Sequence, residues 1–160
     1  MENLVIIPTY NEKENIESII DAVFGLPERF DVLIVDDGSP DGTAEIVKGL
    51  QKKYPGYLHI EERTGKLGLG TAYIHGFKWA LKNNYNFVFE MDADFSHDPN
   101  DLPRLLEACK EEGVGMSVGS RYCKGGKVKD WPLGRYLMSY FASFYVRMIL
   151  WINIKDTTAG

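Results

Sequence analysis

The sequence predicts an α/β domain: a mainly parallel sheet with helices on both faces. Two patterns carry that expectation. Short, continuous apolar runs recur along the chain, the mark of strands buried on both sides. Between them lie segments whose apolar residues keep helical spacing, and strand–helix alternation of this kind builds parallel sheets. Size and composition agree. With 160 residues, 44% of them apolar and 26% charged, the chain is expected to form one domain, large enough to bury about two-thirds of its unfolded surface. An aromatic content of 12% beside that apolar fraction excludes intrinsic disorder.

The first strand is the run Leu4-Val5-Ile6-Ile7, ended by Pro8. A helix follows with Ile16, Ile19, Ile20, Val23 and Phe24 on one stripe, and Asn11 with Glu14 resembles a capping box for it. Val32-Leu33-Ile34-Val35 is the second strand, closed by Asp36-Asp37-Gly38. Ser39-Pro40 reads as cap and first residue of a helix that buries Ile46, Val47 and Leu50. A third strand is expected over 58–62, then a glycine-rich turn and a helix burying Ile74, Phe77 and Leu81. The fourth strand, 87–91, runs into Asp92-Ala93-Asp94. Asp98-Pro99 opens a helix with Leu102, Leu105, Leu106 and Cys109 on one face, and a fifth strand is expected near 116–119. A last helix is predicted within 133–154.

Charge and cysteine content narrow the function. A net charge of -5 argues against bulk nucleic-acid binding, although Lys124, Lys127, Lys129, Arg135 and Arg147 could give one face to a polyanion. Cys109 and Cys123 lack zinc-ligand spacing and read as reduced thiols, and His59, His75 and His97 show no metal spacing. The N-terminus has no standard secretory signal. The longest charge-free apolar-rich stretch near the C-terminus, 136–146, is about half the length of a membrane span. A cytoplasmic location is therefore expected.

In a parallel sheet, ligands bind beyond the C-terminal strand ends. Those ends carry Pro8 to Glu12, Asp36-Asp37-Gly38, Asp92-Ala93-Asp94 and Ser120-Arg121-Tyr122. On an extended strand, Asp92 and Asp94 would point the same way. Converging carboxylates want a shared proton or a cation, and hard cations such as magnesium or manganese bridge such oxygens to substrate phosphates. The bland alternative is a pair of solvated turn carboxylates. Asp36 and Asp37 should face opposite ways, one to a ligand and one supporting the turn, or else form an Asp-Gly turn with no further duty. The segment 64–70 fits neither the phosphate-loop nor the dinucleotide glycine spacing, so a flexible turn is the better reading. Arg121 could grip phosphate bidentately or pair with an acidic neighbour. In 133–154 the polar residues Arg135, Ser139, Ser143 and Arg147 recur every fourth place among large apolar ones. That pattern suits a helix lying in a membrane interface, and equally a core or dimer helix.

These residues together resemble the family 2 glycosyltransferases, and most closely their polyprenyl (dolichol) phosphate mannosyltransferase branch. The matching motifs are I-I-P-T-Y-N-E-K-E-N at 6–15, V-D-D-G-S-P-D-G-T at 35–43, G-L-G-T-A at 68–72, M-D-A-D-F-S-H-D-P at 91–99, G-S-R-Y at 119–122 and G-G-K-V-K-D-W-P at 125–132. The final D-T-T-A-G is like the start of another family motif. The resemblance implies a Rossmann-like GT-A nucleotide-diphospho-sugar transferase fold, and transfer of mannose from GDP-mannose to a polyprenyl phosphate with inversion. It implies that Pro8, Tyr10 and Glu12 hold the nucleoside and that Val35 and Asp37 border the base. Asp92, Ala93 and Asp94 would meet ribose and diphosphate, with Asp94 the principal ligand of Mg2+ or Mn2+ and the residue on which catalysis rests. Arg121 and Arg135 would bind phosphate groups. Ser96 stands where some members place a metal-binding glutamine, and its shorter side chain makes direct contact doubtful. The expected partners are a sugar nucleotide, a lipid phosphate at the cytoplasmic membrane face, and a membrane-anchor protein. Because the family continues past D-T-T-A-G, the GT-A domain is expected to be incomplete at its C-terminus.

No proton-transfer residue is assigned, since an acceptor phosphate is largely ionised at neutral pH, its second pKa lying near 6. The same chemistry with UDP-glucose is the nearest alternative, and a nucleotide-binding scaffold without catalysis is the non-enzyme one. A phospho-receiver module would need V-L-I-V-D-D on its first strand, and a phosphatase would need its D-x-D there, which this chain order denies to both.

Overall fold

The computed structural model describes residues 2–120, 133–151 and 156. It divides into two compact units, Met1–Arg104 and Leu105–Gly160.

The first unit holds the sheet. Strands β1 (Asn3–Thr9), β2 (Asp31–Asp36), β3 (Leu58–Glu62) and β4 (Phe87–Glu90) pair in the order β3-β2-β1-β4, all parallel. This is the parallel α/β arrangement the sequence predicts. The chain steps outward from β1 to β2 to β3, then returns to lay β4 on the other side of β1. Right-handed crossovers therefore put α1 (Ile16–Phe24) and α2 (Thr43–Leu50) on one face and α3 (Leu69–Lys82) on the other. Every residue of β2 is buried, as its unbroken apolar run demands.

Three local expectations are corrected. The capping box does not form: Asn11 takes a left-handed conformation (φ 62°), and its N–H bonds the Ser39 hydroxyl instead. Helix α1 begins later, at Ile16, with Ile16, Ile19, Ile20 and Val23 buried as predicted and Phe24 stacked on Tyr54. Helix α2 starts at Thr43 rather than at Ser39-Pro40, because the Ser39 hydroxyl is spent on Asp36 while Asp41 accepts from the Thr43 N–H and hydroxyl. Val47 is buried there with Thr43 and Ala44, whereas Ile46 and Leu50 are half-buried.

Helix α3 turns a different face inward. It buries Ala72, Tyr73, Gly76 and Ala80, leaving Ile74, Phe77 and Leu81 exposed. Gly76 sets this choice, since a Cβ there would lie 2.7 Å from Ile6 Cγ2. The small residues let the helix press onto Leu4, Ile6, Leu33 and Val35.

Asp98 accepts from the Asn100 N–H and, with Pro99 following, opens a short 3-10 turn (Pro99–Asp101) leading into α4 (Leu102–Lys110), as predicted. In the second unit, residues 114–120 adopt no regular element, so the fifth strand expected near 116–119 is absent. Cys109 is a half-buried free thiol that donates to the Ser117 hydroxyl, and Cys123 lies outside the described residues. Helix α5 spans Leu133–Leu150, and 152–155 lie outside the described residues.

Candidate functional site

The parallel strands bring their C-terminal ends to one edge, and the chain's direction of travel reverses between β1 and β4. That switch point is where open α/β sheets bind ligands. A cleft of about 260 Å3 opens there. The end of β1 contributes Pro8, Thr9, Tyr10 and Glu12; β2 contributes Asp37; the end of β4 contributes Asp92, Ala93 and Asp94. The loop before α3 and its first turn add Lys66, Gly68, Leu69 and Ala72. A hollow of similar size, about 270 Å3, lies among Val23, Phe24, Pro27, Phe30 and Tyr57 but gathers only Glu28 and Arg29 as charged groups. Convergent carboxylates, not volume, single out the strand-end cleft.

Hydrogen bonds stitch the walls of the cleft together. Asp36, buried, accepts from the Thr9 hydroxyl (2.8 Å), the Ser39 N–H (2.9 Å) and the Ser39 hydroxyl (2.6 Å), so it supports the turn. The Glu12 N–H donates to Thr43 Oγ1 and the Lys13 N–H to Asp41. Asp37 faces the cleft, yet its acceptors are occupied. Arg63 donates to Oδ1 through Nε (2.6 Å) and through a terminal guanidinium nitrogen, and the N–H groups of Leu67 (3.0 Å) and Gly68 (3.3 Å) donate to Oδ2. Gly38 (φ 70°) packs under the same loop, and an added Cβ would come within 3.0 Å of the Gly65 nitrogen.

Strand β4 ends at Glu90, so Asp92 and Asp94 lie beyond the extended strand, Asp94 in a turn, but both line the cleft. The Tyr73 hydroxyl donates to Asp92 Oδ1 (3.2 Å), and the Asp92 N–H donates to His97 Nδ1 (3.2 Å). Burial and the Asp92 charge push the Tyr73 phenol far above its ordinary range, so it stays a neutral donor. Burial, with the Asp92 charge beside it, also raises Glu90. Asp94 is exposed, and hydrogen bonds from the Ser96 hydroxyl and N–H hold its carboxyl below the usual range. Ser96 thus meets Asp94.

Among the residues expected at the site, Pro8, Tyr10, Glu12, Asp37, Asp92, Ala93 and Asp94 come together. Val35 does not: it is fully buried in the core under α3, on the opposite side of its strand from Asp36. Arg121 lies outside the described residues, as does the side chain of Arg135 on α5. Lys66 and Arg63 were hidden from sequence reasoning because 64–70 matches no standard phosphate loop. The signal for them was Asp37, a buried carboxylate that required donors from somewhere.

The glycosyl transferase family 2 model matches residues 4–159. The chain belongs to that family. It is 46% identical over 157 residues to polyprenol monophosphomannose synthase of Mycolicibacterium smegmatis, a match covering 98% of this chain and 59% of that protein. It is 44% identical to undecaprenyl-phosphate mannosyltransferase of Micrococcus luteus, over 100% of this chain and 65% of the relative. Among solved structures it is similar to S. aureus TarS 1-349 in complex with UDP-GlcNAc, with a TM-score of 0.50 and 32% identity over 59% of this chain and 27% of that one. The family 2 chain thus spans roughly three-fifths of the length of the curated relatives it matches.

Proposed function

We propose that this family 2 domain binds GDP-mannose with a divalent cation and serves transfer of mannose, with inversion, to a polyprenyl phosphate. One observation carries the reading: Asp92 and Asp94 both line a cleft at the switch point of a parallel sheet, in a chain whose relatives are mannosyltransferases of lipid phosphates. The donor set fits magnesium or manganese. Among the described residues no cluster of three metal-binding side chains exists. Two carboxylates with open positions for phosphate oxygens are what a nucleotide-bridged hard cation takes. Asp94 would hold it, with Asp92 beside it and Ser96 orienting the Asp94 carboxylate. The bound cation would neutralise charge on the leaving diphosphate.

The chain's own residues then do positioning work. Pro8, Tyr10 and Glu12 bound the nucleoside space. Tyr73 and His97 fix Asp92 from two sides. The acceptor phosphate arrives ionised, so alignment and electrostatics carry the rate without a general base. The acceptor is a lipid, and we assign the domain to a membrane surface rather than across it. No helix among the described residues is long and apolar enough to span a bilayer.

Calorimetry with GDP and UDP, each with and without manganese, tests donor binding. GDP should bind more tightly and only with the metal. Asp94→Asn should weaken that binding by more than about tenfold, the size of effect seen when even outer partners of a metal are lost. Preference for UDP would move the donor to a UDP-sugar such as UDP-glucose; binding of neither would overturn the reading. Radiolabel transfer to a polyprenyl phosphate separates an enzyme from a nucleotide-binding scaffold.

A further inference from the structure

We propose that Tyr73 sets the ion preference of the cleft by holding one oxygen of Asp92, so that this carboxylate offers a cation its other oxygen alone and magnesium or manganese is favoured over calcium. The inference rests on the nucleotide and cation reading above and deepens it.

The two oxygens of Asp92 have different surroundings. The Tyr73 hydroxyl donates to Oδ1 at 3.2 Å. On the other side, His97 Nδ1 stands 3.9 Å from Oδ2. That nitrogen accepts the Asp92 N–H, so it carries no proton to give the carboxylate. Tyr73 is therefore the only side chain among the described residues that donates to Asp92, and Oδ2 is the oxygen left open. The Asp92 side chain is 33% exposed, so a ligand can reach it. The donor is anchored too. Tyr73 is buried on the inner face of α3 with Ala72, Gly76 and Ala80. One turn along, Gly76 rests on Ile6, and Ile6 pairs with Glu90 in the register between β1 and β4, two residues before Asp92. Donor and acceptor thus take their places from the same residue of β1, and the hydroxyl stays at Oδ1 while α3 keeps its seat on the sheet.

A carboxylate tied in this way is a one-oxygen ligand, and cations differ in how well that suits them. Magnesium demands near-octahedral geometry, in which the two oxygens of one carboxylate lie too close together to fill neighbouring positions. It loses nothing when only one is offered, and manganese shares its preference for octahedral oxygen ligands. Calcium gathers about six to eight oxygens in looser geometry and often takes both from one carboxylate. With Oδ1 spent on Tyr73, calcium is denied a ligand that the smaller ions do not use. Without the hydroxyl, Asp92 is free to turn and present both oxygens.

The test is calorimetry of GDP binding in excess manganese and in excess calcium, on the parent chain and on Tyr73→Phe. The variant keeps the ring packed under α3 and loses only the hydroxyl, and its thermal unfolding shows that it is folded at the assay temperature. The parent should bind GDP more tightly in manganese than in calcium. Tyr73→Phe should shrink that advantage about tenfold, the lower end of what losing a partner behind a metal ligand costs. The loss should fall on the manganese arm, with the calcium arm holding or gaining. A tyrosine that only supports the fold would weaken both arms equally, and that result would overturn the proposal. So would a parent indifferent to the ion, or an unchanged manganese advantage in Tyr73→Phe. If the parent bound GDP with neither ion, the nucleotide and cation reading would fall first and take this inference with it.

Discussion

Asp41 starts a helix and ties down a loop with one carboxylate. It accepts from the Thr43 N–H and hydroxyl at the head of α2 and from the Lys13 N–H across the strand-end edge. Those bonds, led by the Thr43 hydroxyl, lower its pKa from the ordinary 3.8. The sign follows from linkage: a depressed carboxylate stabilises the fold above its unfolded pKa, and that contribution is lost as pH falls through the lower folded value. Asp41→Ala should cost about 1 kcal/mol at neutral pH, a usual size for losing a carboxylate that accepts hydrogen bonds. In chemical denaturation the gap between parent and variant should be flat from pH 7 to near 4 and shrink below it. A constant gap at acid pH would mean that the ionised carboxylate is not what acts. At this scale the sequence was partly legible. Asp92 and Asp94 were found because they follow a buried run, but Ser39 was read as the cap of α2, which instead starts at Thr43 behind Gly42. Ser39 was not available to α2, because its hydroxyl already donates to Asp36.

At the scale of an element, α3 shows what periodicity leaves open. Its place between β3 and β4 could be read from the chain. The inward face could not, because apolar residues occupy both sides of the helix. Ile74, Phe77 and Leu81 offered more area to bury, yet the sheet took Ala72, Gly76 and Ala80. Close approach decided it, with Ile6 filling the space that a Gly76 side chain would need. Gly76→Ala therefore sets a helix-propensity gain of about 1 kcal/mol against an overpacking cost of about 1–3 kcal/mol. The expected net is a loss on the order of 1 kcal/mol in denaturant unfolding. In an Ile6→Ala background, where the clashing atoms are gone, the same change should become neutral or stabilising. Simple additivity between the two substitutions would show that Ile6 does not set the packing.

For the whole molecule, the strand order carried the functional site and was legible only in part. Buried runs located the strands, whereas the return of β4 to the side of β1 depends on which edges pair, a long-range fact that no local pattern encodes. The same holds for α5, whose sequence left a core helix and an interfacial helix equally open. In the structure Leu137, Phe141, Phe144 and Met148, with Trp151 just beyond the helix, fall at spacings of four and three and are all exposed. Ser143 is buried, and Ser139 and Arg147 are half-buried. The outward face is thus the apolar one, an arrangement that costs free energy in water and gains it at a lipid surface. A helix of 18 residues is about 27 Å long at 1.5 Å per residue, and Arg147 near its end makes it a poor span of a hydrocarbon core about 30 Å thick. The chain is therefore expected to float with liposomes carrying anionic lipid. Replacing Phe141, Phe144 and Trp151 by serine together should remove most of that binding while leaving manganese-dependent GDP affinity unchanged. Equal flotation of parent and variant would return α5 to a protein contact, and a dimer that dissociates in the variant on gel filtration would identify that contact as a second copy of the chain.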